Sequence, residues 1–383
     1  MPDTFTEISS QSWLGRIGKS FKGILFGLLL IAGAGGLLFW NEGRAVQRIR
    51  ALMEGNKVVL PVSAERVETA NEGKLVHMTG LATTTAILTD TEFGVTTNAL
   101  KLDRVAEMYQ WLEKEEKKTE KNLGGSTTTT TTYTYQQAWE PQRVDSSAFH
   151  HREGHENPVT MLFQERSVVA HPITVGAFML SSSLVGKISA AKPMLSTNTG
   201  QLKSKGQLVD GRVFIGTNAA APQIGDQRIS FRVTGPTTVS LVARQVGETF
   251  EPYRTKAGAA VELLQVGTLS AEEMFAHARE MNRLLTWGLR LLGWLLMFAG
   301  FATLFRPLVV LADVLPFLGN LVGVGTSAVA FLLATPISLL IVAAAWIVYR
   351  PLLGIVLIAV AVAIPFALKS RFKKPVPPVA AGQ

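Results

Sequence analysis

Four long apolar runs constrain this chain more than any other feature: Gly23–Trp40 near its start, then 287–305, 328–349 and 352–368 at its end. A helix needs about 20 predominantly apolar residues to cross a hydrocarbon core of roughly 30 Å. Each run reaches that length or comes close to it. Tryptophans and tyrosines near the run ends, at Trp40, Trp287, Trp294, Trp346 and Tyr349, match the aromatic belts of membrane interfaces. The chain is therefore read as an α+β membrane protein with four transmembrane helices, one N-terminal and three C-terminal, and a large β-rich non-cytoplasmic domain between them.

The 47% hydrophobic and 17% charged composition averages two unlike parts, apolar ends and a middle of ordinary globular character. A formal charge of +8 invites a nucleic-acid reading, but the basic residues gather around the apolar runs at Arg16, Lys19, Lys22, Arg44, Arg48, Arg50, Lys369, Arg371, Lys373 and Lys374. Orientation and anionic headgroups account for basic residues in those places, so no nucleic acid is expected. No cysteine is present, which excludes disulfides, thiolate catalysis and cysteine metal sites. The first run exceeds a signal-peptide core and ends in Leu-Phe-Trp-Asn-Glu, so it reads as an uncleaved anchor.

The basic tail places the C-terminus in the cytoplasm, and four crossings return the N-terminus there as well. The expected order is a cytoplasmic N-terminus (1–22), a first crossing (23–40), a β-rich outer domain (41–269), a helix leading to the membrane (270–286) and a second crossing (287–305). A cytoplasmic amphipathic or re-entrant segment (306–327), crossings at 328–349 and 352–368, and a basic cytoplasmic tail (369–383) complete it. The first helix is expected to continue past the bilayer through Met53. Ser270 and Glu273 have capping-box spacing, which starts a helix that runs unbroken into Trp287. Strands are expected at 57–62, 74–81, 106–112, 207–215, 227–233 and 238–245, punctuated by glycine and proline. The charged 113–121 stretch, Gly124-Gly125 and the threonines through Thr132 read either as a hairpin with the glycines at its tip or as a loop insertion.

Nothing in the sequence resembles an active site, and no enzyme, cofactor or metal is expected. His150, His151 and His155 crowd together but lack the spacing of a helical zinc site, and they read as a solvated loop. Asp226, Arg228 and Arg244 read as surface ion pairing. In the apolar runs the ionisable residues are Arg290, which can reach the interface, and Arg350, in the tight Arg350-Pro351 connection. Small residues such as Gly293 and Gly300 suit close helix packing.

Short motifs then carry a family resemblance along nearly the whole chain. They begin with Asn41-Glu42-Gly43-Arg44 and Asn71-Glu72-Gly73-Lys74-Leu75-Val76-His77, followed by Glu107-Met108-Tyr109-Gln110-Trp111. Gly154-His155, Asn157-Pro158, Gly225-Asp226 with Arg228, Ala243-Arg244-Gln245 and Ser270-Ala271-Glu272-Glu273 come next. Thr286-Trp287-Gly288-Leu289-Arg290, Gly293-Trp294, and Trp346 with Tyr349-Arg350-Pro351-Leu352 close the series. In these the chain resembles the transmembrane protein 43 (LUMA) family. The resemblance implies one N-terminal anchor, a large non-cytoplasmic domain and three C-terminal crossings. Eukaryotic relatives reside in the endoplasmic reticulum and inner nuclear membrane, self-associate and organise membrane complexes. The polythreonine stretch, the N-terminus and the missing cysteines depart from the animal pattern and point to a bacterial member in the cytoplasmic (inner) membrane with a periplasmic domain.

Two functions follow as expectations. The first is a self-associating scaffold in the lipid bilayer, a homo-oligomer that organises other membrane or envelope proteins through its outer domain. The alternative is an ion channel or a regulatory channel subunit, to which Arg290 and Asp313 are the contributors the sequence offers.

Overall fold

A computed structural model describes residues 3–193 and 205–350. The fourth apolar run, 352–368, and the basic tail therefore lie outside the described residues. Among the described residues, three helices are long and apolar enough to cross a membrane, one N-terminal and two C-terminal. The chain divides into two compact units: Met1–Gln11 with Ala51–Glu120 and Thr127–Arg279, and Ser12–Arg50 with Lys121–Ser126 and Glu280–Gln383.

The first unit is built on two sheets. The larger, eight-stranded sheet contains β1 (Asp3–Gln11), β2 (Lys101–Lys121), β3 (Thr127–Glu140), β4 (Gln207–Val209), β5 (Arg212–Ile215) and β6 (Gln227–Thr234), in the order β1-β3-β2-β6-β5-β4. The seven-stranded sheet centres on β7 (Thr237–Val246), which pairs antiparallel with residues 75–82 of the strand Leu75–Thr83 and with Leu263–Val266. Alternation explains the first sheet. In β2 every second residue from Leu102 to Gln110 is buried, and in β6 Gln227, Ile229 and Phe231 face the same way. Val76, Met78, Leu100, Leu102, Ile229, Phe231 and Leu241 meet in one core.

The polythreonine stretch resolves as a strand. Thr127–Glu140 follows β2 around the Gly124-Gly125 turn, where both glycines have positive φ. Threonine's β-branching favours the extended backbone where little apolar surface is available. β1 then pairs with it residue for residue, from Asp3 opposite Tyr135 to Gln11 opposite Thr127. Residues from segments 1–22 and 41–269 thus share one sheet. Charge counting treats each loop as independent, and a strand such as Asp3–Gln11, exposed almost throughout, carries no burial pattern to reveal its partner.

Two helix ends belong to this unit's second core. Ala51 and Leu52 from the first helix, and Met274 and Phe275 from the next, are buried with Leu75, Val242 and Val261. The capping box forms as expected: Glu273 accepts from the Ser270 amide at 2.8 Å, and the Glu273 amide donates to Ser270 Oγ at 3.3 Å.

The second unit is a bundle of α1 (Trp13–Val58), α2 (Ala271–Ala312) and α3 (Pro316–Tyr349), the first two contributing their apolar lengths. Both expected continuations past the membrane, α1 beyond Trp40 and α2 from the capping box through Trp287, are single helices. The boundaries after Phe305 differ from expectation. Pro307 lies inside α2, which continues to Ala312, and α3 starts at Pro316, so residues 306–327 divide between two long helices joined at 313–315. A proline removes one helical hydrogen bond, which a buried helix tolerates, whereas Pro316 sits at a helix start where no donor is needed.

Glycines set the helix spacing. A Cβ at Gly27 would stand 2.8 Å from the Gly300 carbonyl oxygen, and one at Gly293 would stand 2.6 Å from Leu38. α1 and α2 thus approach through bare backbone, the close packing that apolar helices use in lipid. Ala34, Met297 and Ala334 fill the centre.

Candidate functional site

The bundle's polar groups concentrate where the apolar length of α1 gives way to Asn41-Glu42-Gly43-Arg44. Glu42 is fully buried. Arg290 of α2 meets it with two hydrogen bonds, Nε to Oε1 at 2.6 Å and Nη2 to Oε2 at 2.9 Å, and Trp346 Nε1 of α3 donates to Oε2 at 2.7 Å. One carboxylate therefore ties three helices together. The Arg290 guanidinium also lies 4.7 Å from the Trp287 ring centroid and 5.7 Å from that of Trp346. Bidentate pairing and ring stacking both use the planar guanidinium in ways an ammonium cannot.

A polar network extends the junction. Asn41 Nδ2 donates to the Thr286 carbonyl at 3.0 Å, and Asn282 Nδ2 to the Ala45 carbonyl at 3.2 Å. Arg44 donates to Asn282 Oδ1 at 2.9 Å and to Thr286 Oγ1 at 3.1 Å. Beside it, Tyr349 packs so tightly on Gly43 that a Cβ there would stand 2.6 Å from the ring, and its carbonyl accepts from Arg50 at 2.7 Å. The Arg350 guanidinium is 6.0 Å from the Trp346 ring centroid. Trp294 bonds Thr335 Oγ1 at 3.2 Å, linking α2 to α3 further along. Trp40 and Trp287 are exposed.

Arg290 is thus a paired cation, with Glu42 as its partner. Sequence reasoning missed its partner. Glu42 is visible in the sequence as a carboxylate two residues beyond an apolar run, and Arg290 as a cation three residues inside another. Matching such depths in neighbouring helices is the signal that would have joined them.

The remaining motif residues lie in the strand-built unit and act locally. Asn71 is buried at the end of a short helical turn, Glu72 accepts from the Gly247 amide at 2.8 Å, and Gly73, with φ +73°, donates to the Gln245 carbonyl at 2.9 Å. His77 Nε2 bonds the Leu269 carbonyl at 2.9 Å. Glu72 and Gly73 thus fasten the start of one strand to the end of β7, and His77 ties the same strand to the chain ahead of α2. Across the larger sheet, Tyr109 packs its ring 5.2 Å from Trp139, and Asn157 closes a two-way bond with the Trp111 backbone at 2.7 and 2.9 Å. Pro158 packs beside Gly225.

Of the three histidines, His150 is exposed and His151 half-buried, while His155 departs from the expected solvated loop. His155 is 2% exposed and stacks on Tyr135 at 3.9 Å, while His150 stacks on Tyr133 at 4.1 Å. Phe5 and the carboxylates Asp3 and Glu7 of β1 close the cluster, with Asp3 3.4 Å from His155. Aromatic partners on β1 and β3, distant in sequence, provide the burial. The Tyr135 hydroxyl is pushed up to about 12 by burial and by its bond to Glu113. Among the described residues, no three His, Asp or Glu side chains are grouped to hold a metal ion.

Of the expected ion pairs, Arg228 pairs with Glu107 directly across β6 and β2, at 2.6 and 2.8 Å, and lies over Trp139. Arg244 meets Glu251 at 3.9 Å, and Asp226 accepts from the Gln223 amide at 2.8 Å. The hydrogen bond from Arg228 holds the Glu107 carboxyl below its ordinary range. A depressed carboxyl contributes stability above its unfolded value and loses it as pH falls through the folded one. Glu107→Gln is therefore expected to flatten the acid limb of a stability-versus-pH curve below about pH 4.3, the ordinary glutamate value, with urea unfolding as the readout.

A family model described as Transmembrane protein 43 matches residues 108–351. Transmembrane protein 43 of Rattus norvegicus is 36% identical over 367 residues, covering 91% of this chain and 89% of the relative. The Homo sapiens protein is 35% identical over 373 residues, covering 92% and 91%, and the Drosophila melanogaster homolog is 32% identical over 351 residues, covering 86% and 89%. No solved structure matches. With its apolar helices and its motifs in order, the chain is a multi-pass membrane protein and belongs to the transmembrane protein 43 family.

Proposed function

We propose that this protein is a membrane-anchored, self-associating scaffold that organises membrane or envelope protein complexes through its strand-built domain. The observation that supports this most is the contrast between the bundle's interior and its outer faces. Inside, Glu42 and Arg290 neutralise each other and bind Trp346, so the cation the sequence offered to a conducting path is already engaged. Outside, α3 keeps Leu332, Leu339 and Leu340 about two-thirds exposed, at 67, 65 and 67%. Such faces need lipid or further helices against them. The cysteine-free composition favours a bacterial cytoplasmic membrane as the setting.

The test is the mass of the protein in nanodiscs or mild detergent, by light scattering corrected for lipid. The scaffold reading expects a defined multiple of the 41.4 kDa chain. A monomer at every concentration tried would remove self-association from the account.

A further inference from the structure

Charge does not balance where the bundle's apolar lengths meet the Glu42–Arg290 junction. Residues 41–50, 280–290 and 346–350 carry six arginines against two glutamates, and both glutamates are already engaged, Glu42 by Arg290 and Glu280 by Arg283. Arg44 donates to Asn282, Asn41 and Thr286, neutral acceptors that cancel no charge.

Two further arginines converge on the end of α3. Arg50 Nη2 donates to the Tyr349 carbonyl, and the next residue, Arg350, holds its guanidinium near the Trp346 ring. Among the described residues neither forms an ion pair with a carboxylate. The surroundings fix the height of this pair on the bundle. Tyr349 packs on the Gly43 backbone and 5.5 Å from the Phe39 ring, while Trp287 and Trp346 flank Arg290. Aromatic rings gathered at one level of a helical bundle mark the headgroup zone. Immediately before Arg350, Ile347 and Val348 of α3 are 46 and 60% exposed.

We propose that Arg50 and Arg350 form a subsite for one anionic phospholipid, with its phosphate held by the two guanidiniums at the end of α3 and an acyl chain laid along Ile347 and Val348. The planar fork of arginine matches phosphate oxygens in pairs, which a hydrated ammonium does not. The excess of positive charge favours a lipid with net negative charge over a zwitterionic one. A soluble phosphate would satisfy the arginines but leave the two apolar side chains in water, so the lipid is the better-fitting source of the same group. A plainer role exists for Arg50 alone, since a cation beside the last carbonyls of a helix caps it and opposes its dipole. That role gives Arg350 nothing to do, and Arg350 is therefore where the two accounts part. The subsite is the same in either orientation of the chain across the membrane, and in a monomer as in an oligomer.

Native mass spectrometry of the full-length protein tests this, with phosphatidylglycerol and phosphatidylcholine of identical acyl chains titrated into the detergent-purified sample. Phosphatidylglycerol is expected to bind the more tightly. Each arginine removed should weaken it about fivefold, the effect of one basic residue near an anionic headgroup. Arg50→Gln with Arg350→Gln should therefore cost phosphatidylglycerol more than tenfold and leave phosphatidylcholine unchanged. Arg350→Gln alone, which removes no backbone hydrogen bond, keeps the test available if the double variant fails to fold. Equal affinity for the two lipids in the parent protein, or an unchanged preference in Arg350→Gln, would overturn the subsite. Glycerol phosphate at millimolar concentration is the control for a soluble ligand. It should not displace the lipid, and full displacement would overturn the lipid assignment.

Discussion

Replacing Arg290 with leucine is expected to lower the unfolding free energy by about 3–5 kcal/mol, the cost of leaving one member of a buried ion pair alone. The charge left behind is Glu42, which is fully buried, accepts two hydrogen bonds from Arg290, and would retain, among the described residues, Trp346 as its donor. Glu42→Gln is expected to cost less, because a neutral amide can still accept from Arg290 and Trp346. The double variant Glu42→Met with Arg290→Leu is the informative one. Replacing both charges with apolar groups of similar volume removes the desolvation penalty along with the attraction, so much of the loss should be recovered. Unfolding in a fixed detergent, followed by tryptophan fluorescence and circular dichroism together, gives the cycle. A double variant no better than the sum of the singles would mean that the two groups do not act as a pair.

The second large effect is expected at Phe275. Its side chain is fully buried among Ala51, Leu52, Leu75 and Met274, where the ends of two long helices join the smaller sheet's core. Gly55 packs against the same ring, with space for no more than a strained Cβ at 3.1 Å. Phe275→Ala deletes a large ring from a site that cannot collapse easily, and about 3–5 kcal/mol is the usual cost. Because Phe275 lies on α2 near its capped start, the loss should also loosen the helix end. Faster amide exchange at residues 271–279 than in the parent protein is the accompanying readout, and unchanged exchange would confine the effect to packing.

The parts of this structure that were legible in the sequence share a short-range cause. The capping box at Ser270 and Glu273, the continuation of α1 past Trp40, the alternating strand 227–234 and the close glycine crossings each depend on neighbours a few residues apart. The polythreonine stretch was half legible: β-branching pointed to a strand and Gly124-Gly125 to a turn, but nothing local excluded a loop. What sequence reasoning missed depends on distant partners. β1 acquires its place only by pairing with those threonines, and His155 becomes buried because Phe5, Trp111 and Tyr135 pack around it. Pro307 misled for a physical reason as well. Its missing amide is a strong helix breaker in water but a local defect within a packed apolar helix, so the turn fell at Asp313–Leu315 instead.

The candidate site was legible as residue types and not as a constellation. Arg290, Trp346 and Tyr349 stood out as interface or packing residues, and their joint attachment to Glu42 and Gly43 emerges only once three helices are side by side. The same holds for Asp313, whose partners come from the start of α1 and from a turn between two strands. Both carboxylates act as fasteners between elements. That role, more than any pocket, is what the geometry offers. A cleft of about 470 Å³ beside Lys101 and His171 has its lysine already donating to the Ile188 carbonyl at 3.0 Å.

The central claim is that the ionisable groups of the bundle hold helices together and do not line a path for ions. Ion flux from sealed proteoliposomes of the purified protein tests it most directly, with Glu42→Gln and Arg290→Leu reconstituted in parallel. The account predicts flux at the level of empty liposomes for all three. Flux that rises with the amount of protein and changes with either substitution would contradict it.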